Sequence, residues 1–470
     1  MMNPSKLALA SLSALALSAC AVGPDYVASA PSPASSGPFL SVDRPVFTPA
    51  PLPTGWWRLY NDPVLDRLVE DALAANTDMR QALARVERAR ASLRGARADR
   101  LPQTSITASS TYNRLPETQV PAGAKREDWS HDVGLDIAYE ADLFGRVTRE
   151  NEAARADLAA SQADADAARV MVIADTTRAY ADAASGAARL RVAHDIVDLL
   201  DRSLALTRKR YADGLENGLA VARIATLRDQ RAADIPTLEA QRQAALFRLA
   251  TLTGRAPAEL PPIAGERSVA LEIGQPLPVG DGAQLLARRP DVRAAERRLA
   301  ADTARIGVAT ADLYPRITFG ASIGSTGPNL GDLFTGGPLR WLLGPLLSWA
   351  FPNQEPARAR IDAANADAKA SLAAFDGAVL TALQESETAL SAYAAAIDRR
   401  RALQSASEQA ERAARIVRAQ QREGAVNSLD RLDAERTLAE AKAQLAEQDA
   451  AVSRAQIDLF RALGGGWATT

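Results

Sequence analysis

Cysteine is almost absent from this chain: Cys20 is the only one among 470 residues. No disulfide can form within a chain, and no cysteine-based zinc or iron–sulfur site can be built. Histidine is nearly as scarce. His131 and His194 lie far apart, with no ligand spacing around either, so no metal site is expected. Neither sign of charge is in excess: 55 Lys and Arg face 57 Asp and Glu, for a net charge of −2. The basic field that draws a protein to a phosphate backbone is missing, and nucleic acid is not expected as a partner. Beyond the N-terminus no stretch approaches the roughly 20 apolar residues of a membrane-spanning helix. No glycine loop of the phosphate-cradling kind occurs either, so any energy must come from a partner. Gly320-Ala321-Ser322-Ile323-Gly324 fits the G-x-S-x-G pattern. A hydrolase elbow, however, needs a strand-to-helix turn with its histidine later in the chain, and here both histidines come earlier. No enzyme activity and no cofactor are expected.

What is present begins with an apolar run, Leu7 to Leu17, preceded by Lys6 and followed by the small residues Ser18 and Ala19. That is the layout of a secretory signal peptide over residues 1–19. Leu17-Ser18-Ala19-Cys20 resembles the bacterial lipobox, in which cleavage leaves the cysteine as a lipid-carrying N-terminus. Covalent lipid on Cys20 would anchor the chain stably through several acyl chains, and Ala21 in the next position favours delivery to the outer membrane. Residues 20–54, rich in Pro and Ser, read as an extended tether.

The rest is two copies of one unit. With a constant offset, Asp78, Arg80, Ala82, Arg85, Ala91, Ala96, Ala98, Asp99, Pro102, Ala108 and Ser109 match Asp291, Arg293, Ala295, Arg298, Ala304, Ala309, Ala311, Asp312, Pro315, Ala321 and Ser322. At a slightly smaller offset Gly214, Asn217 and Leu219 match Gly424, Asn427 and Leu429. The spacing predicts a first repeat over 55–254, a linker over 255–287, a second repeat over 288–463 and a tail over 464–470. Within each copy Ala, Arg, Leu, Glu and Gln dominate long stretches, as in stable helices. Leu190, Val197, Leu204 and Tyr211 recur at sevens, as do Leu438, Leu445, Val452 and Leu459, the mark of helices packed side by side. Residues 145–211 and 357–422 contain no proline, and each could reach about 100 Å. Glycine-centred turns at Asp213–Asn217 and Glu423–Asn427 return the chain, giving helical hairpins over 145–254 and 357–463. Pro236 should kink the first returning helix.

Ahead of each hairpin the period changes to two. Ile106, Ala108, Ser110 and Tyr112 alternate with Ser105, Thr107, Ser109 and Thr111, and Val133, Leu135, Ile137 and Tyr139 with Asp132, Gly134, Asp136 and Ala138. Ile317, Phe319, Ala321 and Ile323 alternate with Thr318, Gly320, Ser322 and Gly324, and Trp341, Leu343, Leu347, Trp349 and Phe351 mark a fourth segment. Strands are expected at about 103–114, 129–140, 315–325 and 340–351. A soluble hairpin packed on a helical core would alternate in the same way. If the strands instead cross a membrane, four are too few to close a barrel and oligomerisation is compulsory.

Cys20-Ala21-Val22-Gly23-Pro24-Asp25-Tyr26, the DLFGR of Asp142–Arg146, the RRPDVRAAER of Arg288–Arg297, the DLYPRITFGAS of Asp312–Ser322 and the ALGGGW of Ala462–Trp467 together resemble the TolC-like outer-membrane efflux factors, in their lipoprotein branch. The resemblance covers nearly the whole chain. It implies a mixed membrane α+β fold: a homotrimeric channel sharing a twelve-stranded outer-membrane β-barrel, four strands per chain, above a long periplasmic α-helical barrel. Its partners would be a periplasmic membrane-fusion adaptor, an inner-membrane transporter and the outer-membrane lipid, and its cargo drugs or toxic compounds. The adaptor-docking tips would be Gly214, Leu215, Asn217 and Leu219 in the first copy and Gly424, Asn427 and Leu429 in the second. The family's acidic periplasmic aperture maps onto Asp430 and Asp433, where the first copy has Ala220 and Arg223. Without the resemblance, that pair reads as solvated or bound to Arg431 or Arg436. At Phe351–Pro356 the chain departs from the family's glycine-rich turn, leaving that strand-to-helix junction open. A protein-secretion duct of the same architecture, or a periplasmic scaffold lipoprotein, are the other readings.

Overall fold

The computed structural model describes residues 21–28, 35–121, 123, 125–335 and 339–467. Cys20, the signal segment 1–19 and residues 468–470 lie outside them. The chain divides into two compact units, the first formed by Met1–Ser29, Arg85–Gln162 and Ala294–Asp376, the second by the remainder.

The first unit carries a four-stranded antiparallel sheet, β2 (Gln103–Arg114), β3 (Glu127–Ala141), β5 (Arg316–Gly327) and β6 (Leu339–Ser348), hydrogen-bonded in that order. β2 occupies the expected residues, while β3 and β5 run a little beyond theirs. The fourth strand is a correction: it stops at Ser348 instead of reaching Phe351. Its partner β5 begins at Arg316, paired with Ser348, and Pro315 before it has no N–H to extend the ladder. Trp349 is turned aside, its indole N–H donating to the Leu313 carbonyl at 3.0 Å, and Gln354 donates to the same oxygen. The junction at 351–356 is thus built around one carbonyl. The corresponding turn after β3 is a side-chain cap, with the Asp142 carboxylate accepting from the N–H groups of Val147 and Thr148 at 2.9 and 2.8 Å.

The second unit is helical. It contains α1 (Pro63–Ala75), capped by Asp62, α4 (Gly218–Leu252), α5 (Gly282–Arg288) and α8 (Ser428–Ala462). Four longer or bridging helices give residues to both units: α2 (Thr77–Ala98), α3 (Arg146–Ala212), α6 (Pro290–Ala311) and α7 (Glu355–Arg422). α4 passes through Pro236 without a break in the helical run. The second unit's core gathers Trp56, Leu65, Ile173, Tyr180, Leu249, Leu271, Leu390, Ile457 and Phe460, all fully buried. Trp56 stacks on Phe460 at 4.7 Å. On the heptad seams Leu190, Val197, Leu204, Leu438, Val452 and Leu459 are buried, and only Tyr211, the last before the turn, is exposed.

The tether expected over 20–54 is different in its described part. Residues 35–54 lie on the second unit, with Phe39, Phe47 and Leu52 in its core and a short strand β1 (Phe47–Thr48) parallel to β4 (Leu277–Pro278) of the 255–287 linker. Burial of these three apolar side chains contributes about 2 kcal/mol each toward holding the segment in place. Within the first unit, residues 21–28 are also held: the N–H of Val22 donates to Phe144, and Arg149, almost fully buried, donates to the carbonyl of Val22 and pairs with Asp25 at 2.7 Å. The 464–467 stretch is packed as well, the Trp467 ring lying 4.8 Å beneath the Arg293 guanidinium.

Candidate functional site

The register sorts the sheet into two faces, because directly opposed residues in antiparallel strands point the same way. One face carries Ile106, Ala108 and Tyr112 of β2, Trp129, Val133, Leu135, Ile137 and Tyr139 of β3, Ile317, Phe319 and Ile323 of β5, and Trp341, Leu343 and Leu347 of β6. The other carries Ser105, Thr107, Ser109 and Thr111, then Asp128, Asp132, Asp136 and Glu140, then Thr318, Ser322, Gly324 and Thr326, and finally Arg340. On β6 this second face also holds Leu342 and Leu346.

The apolar face is not a core. Ile106 is 78% exposed, Trp341 and Leu343 73%, and Leu347 66%. A soluble hairpin packed on helices would bury these side chains at about 2 kcal/mol each, so a face this extensive marks a contact with lipid or another chain. Four of its aromatics lie toward the two ends of the strands, while Trp341 stands between them, in register with Ile323 and Leu135. Tyr112 meets Trp129 at 5.6 Å near the loops, and Tyr139 is paired with Phe319 near the helices. From Trp129 to Tyr139 the strand covers about 33 Å. Trp349 and Phe351, stacked at 4.7 Å, sit just past the end of β6. No described helix is long and apolar enough to cross a membrane. Both outer edges of the sheet, along β2 and β6, have no strand partner among the described residues.

Ser322, the centre of the G-x-S-x-G pattern, lies mid-strand in β5 and accepts from Arg340 at 3.4 Å. His131 stacks on Trp129 in β3, and His194 lies in α3.

The two turns of the second unit are alike. The N–H of Leu215 reaches the Arg210 carbonyl at 2.8 Å and that of Ala425 reaches Gln420 at 2.9 Å. Each turn passes through a glycine with positive φ, Gly214 at 73° and Gly424 at 75°. This is the Schellman ending, whose left-handed residue has no room for a Cβ without strain. Three residues later Asn217 caps α4 and Asn427 caps α8, the latter accepting from Leu429 and Asp430. Leu215, Leu219 and Leu429 are exposed. A groove of about 450 Å³ runs between α4 and α8, lined by Ala222, Arg223, Thr226, Leu429, Asp433 and Arg436 among others.

Asp430 and Asp433 are both exposed. Asp430 closes a capping box with the Asn427 N–H at 3.3 Å, and Asp433 pairs with Arg436 at 2.7 Å. Arg431 turns inward instead, donating to Gln421 and to Ser203 at 2.7 and 2.8 Å. Beneath the turn Glu435, buried, accepts two bonds from Arg418 at 2.7 and 2.8 Å. Burial pushes the Arg431 guanidinium below its ordinary value, and the charges of Arg418 and Arg210 push the same way against Glu435. The sequence reading missed this polar network. One signal was available: Arg431 falls seven before Leu438, on the buried seam.

The family model described as "Outer membrane efflux protein" matches residues 68–255 and 282–465. Outer membrane protein OprJ of Pseudomonas aeruginosa is 34% identical, over 97% of this chain and 95% of its own length. The antibiotic efflux pump outer membrane protein ArpC of Pseudomonas putida is 29% identical, over 99% and 96%. Among solved structures, the outer-membrane channel OprN superimposes with a TM-score of 0.89 at 35% identity, covering 95% of this chain and all of that one.

Proposed function

We propose how this chain conducts, from the premise that it belongs to the outer membrane efflux protein family and is the outer-membrane channel of an efflux pump. Three chains assemble, each adding its four strands to one twelve-stranded barrel. The observation that carries this reading is the sheet: an exposed apolar face with aromatic pairs toward both ends, a hydroxyl- and carboxylate-bearing face, and two open edges. An open edge in hydrocarbon leaves backbone groups unsatisfied at several kcal/mol each. Joining β6 of one chain to β2 of the next removes every edge, and the polar face then lines a water-filled lumen.

The helices that follow the strands continue the conduit into the periplasm, and the internal sequence repeat lets one chain supply two similar hairpins. The exposed leucines of the tips and the groove between α4 and α8 are the docking surface for a periplasmic adaptor, which couples the channel to an inner-membrane transporter. Asp430 and Asp433, exposed beside these tips, form in the trimer a ring of carboxylates at the aperture. Cys20 carries the lipid, and the docked segment that follows it ties that anchor to the first unit. The names of relatives point to small organic compounds as cargo.

Purified protein, sized in detergent and reconstituted in planar bilayers, tests this. A trimer with discrete conductance is expected, with cation preference reduced by the Asp430→Ala/Asp433→Ala double variant. A well-folded monomer that never conducts would refute the channel assembly, and unaltered selectivity would refute the aperture ring.

A further inference from the structure

The polar face of the sheet contains one long cross-strand contact that the channel reading does not by itself require. Arg340, on β6, does not stand up from the sheet. Its side chain runs across β5 to β3, where the guanidinium meets the Asp132 carboxylate at 2.6 and 2.8 Å through Nη2 and at 3.1 Å through Nε. On the way Nε donates to Thr326 Oγ1 at 3.0 Å, and Thr326 also bonds Asp132. In the register Arg340 is opposite Gly324, and Gly324 is opposite Gly134. Those two glycines are the floor beneath the guanidinium. A Cβ built on Gly324 would come within 3.3 Å of Arg340 Cζ, and one on Gly134 within 3.3 Å of its Nη2. Side chains there would crowd the guanidinium where it lies, and one on Gly324 would also meet the Val133 carbonyl at 2.7 Å.

We infer that Arg340 is a charge clamp on the lumen wall, which neutralises the Asp132 carboxylates at one level of the barrel and so sets the ion preference of the strand region, apart from the tips. The inference rests on the channel reading, since the polar face becomes a lumen wall only in the closed barrel. Its physics is a local balance. Each chain contributes one carboxylate and one guanidinium at this level, so three copies give a ring of zero net charge. The next carboxylate toward the helices, Asp136, receives a hydrogen bond from Thr107 and has no cation partner among the described residues. Removing the Arg340 charge leaves three bare carboxylates facing water in a narrow, low-dielectric wall, where field lines are focused. Removing the Asp132 charge leaves three guanidiniums instead.

The test is reversal potential in a KCl gradient across planar bilayers, using full-length protein carrying Arg340→Gln, Asp132→Asn or both. Each is measured in the parent and in the Asp430→Ala/Asp433→Ala background, so that the tips do not mask the barrel. Arg340→Gln is expected to raise the K⁺-to-Cl⁻ permeability ratio by about twofold or more, Asp132→Asn to lower it by a similar factor, and the double variant to return near the parent. Arg340→Lys, which keeps the charge without the fork, should stay close to the parent in selectivity. Trimers that conduct with an unshifted ratio in both single variants would overturn the clamp while leaving the channel standing. A parent protein that does not conduct would overturn the channel reading itself.

Discussion

At the scale of single residues, the densest constraint is Arg289, within the RRPDVR stretch. Its guanidinium, almost wholly buried, donates to both oxygens of Asp291 at 2.9 and 2.5 Å, to Glu385 at 2.7 Å and to the Ala462 carbonyl at 2.9 Å. Burial by itself would raise the Asp291 carboxyl, but the hydrogen bonds and charge of Arg289, helped by the backbone N–H of Val292, hold it below the ordinary carboxylate value. A carboxyl depressed in the folded chain stabilises it above the unfolded pKa, and that stabilisation is lost as pH falls through the folded one. Asp291→Asn should therefore melt lower than the parent at neutral pH, with the gap narrowing in acid below about pH 4. A gap that stays constant across thermal melts over that range would contradict the linkage. Arg289→Ala leaves two half-exposed carboxylates and the buried Ala462 carbonyl without this donor, and should cost about 1–2 kcal/mol in denaturant unfolding. The sequence displays this arginine as part of a motif, but gives no hint that it joins residues so distant in the chain. Likewise the inward turn of Arg431, with Asp433 left to Arg436, follows from which helix face is packed, and that is settled by tertiary neighbours.

At the scale of elements, the hairpins and their turns were legible because local rules govern them. A proline-free run of helix formers, then glycine, then asparagine three residues later, specifies an ending and a beginning without help from the rest of the chain. The glycine at each turn is required by its φ. Gly424→Val should therefore destabilise the second turn by about 1–2 kcal/mol, and Asn427→Ala should remove the α8 cap at about 1 kcal/mol. Hydrogen exchange at the amides of Ala425, Leu429 and Asp430 reports both, since each donates in the turn or cap. Exchange unaltered in either variant would mean that packing, and not the cap, holds the turn. The strands were legible by alternation, but the end of β6 was not. Trp349 and Phe351 continue the apolar rhythm past Ser348, and only the position of Pro315 on the neighbouring strand ends the pairing. Nor did local pattern show that residues 35–54 are packed, because three apolar side chains in a Pro- and Ser-rich stretch carry no period.

At the scale of the whole molecule, the channel reading places the loop around Gly123 outside the cell. A Gly123→Cys variant on intact cells should react with a membrane-impermeant maleimide, whereas a periplasmic scaffold would leave it unlabelled. In the same cells Cys20→Ser should abolish incorporation of labelled palmitate, and persistent incorporation would rule out Cys20 as the anchor. By itself the sequence determined the helical hairpins, their turns and the four strands. Each of these is written in residues close together in the chain. Only the tertiary structure decided which strand faces are shared, that the apolar face is left uncovered, and that Arg340 reaches Asp132 across the intervening strand β5. Those depend on register between segments far apart in sequence, and a shift of one residue would send every side chain to the opposite face.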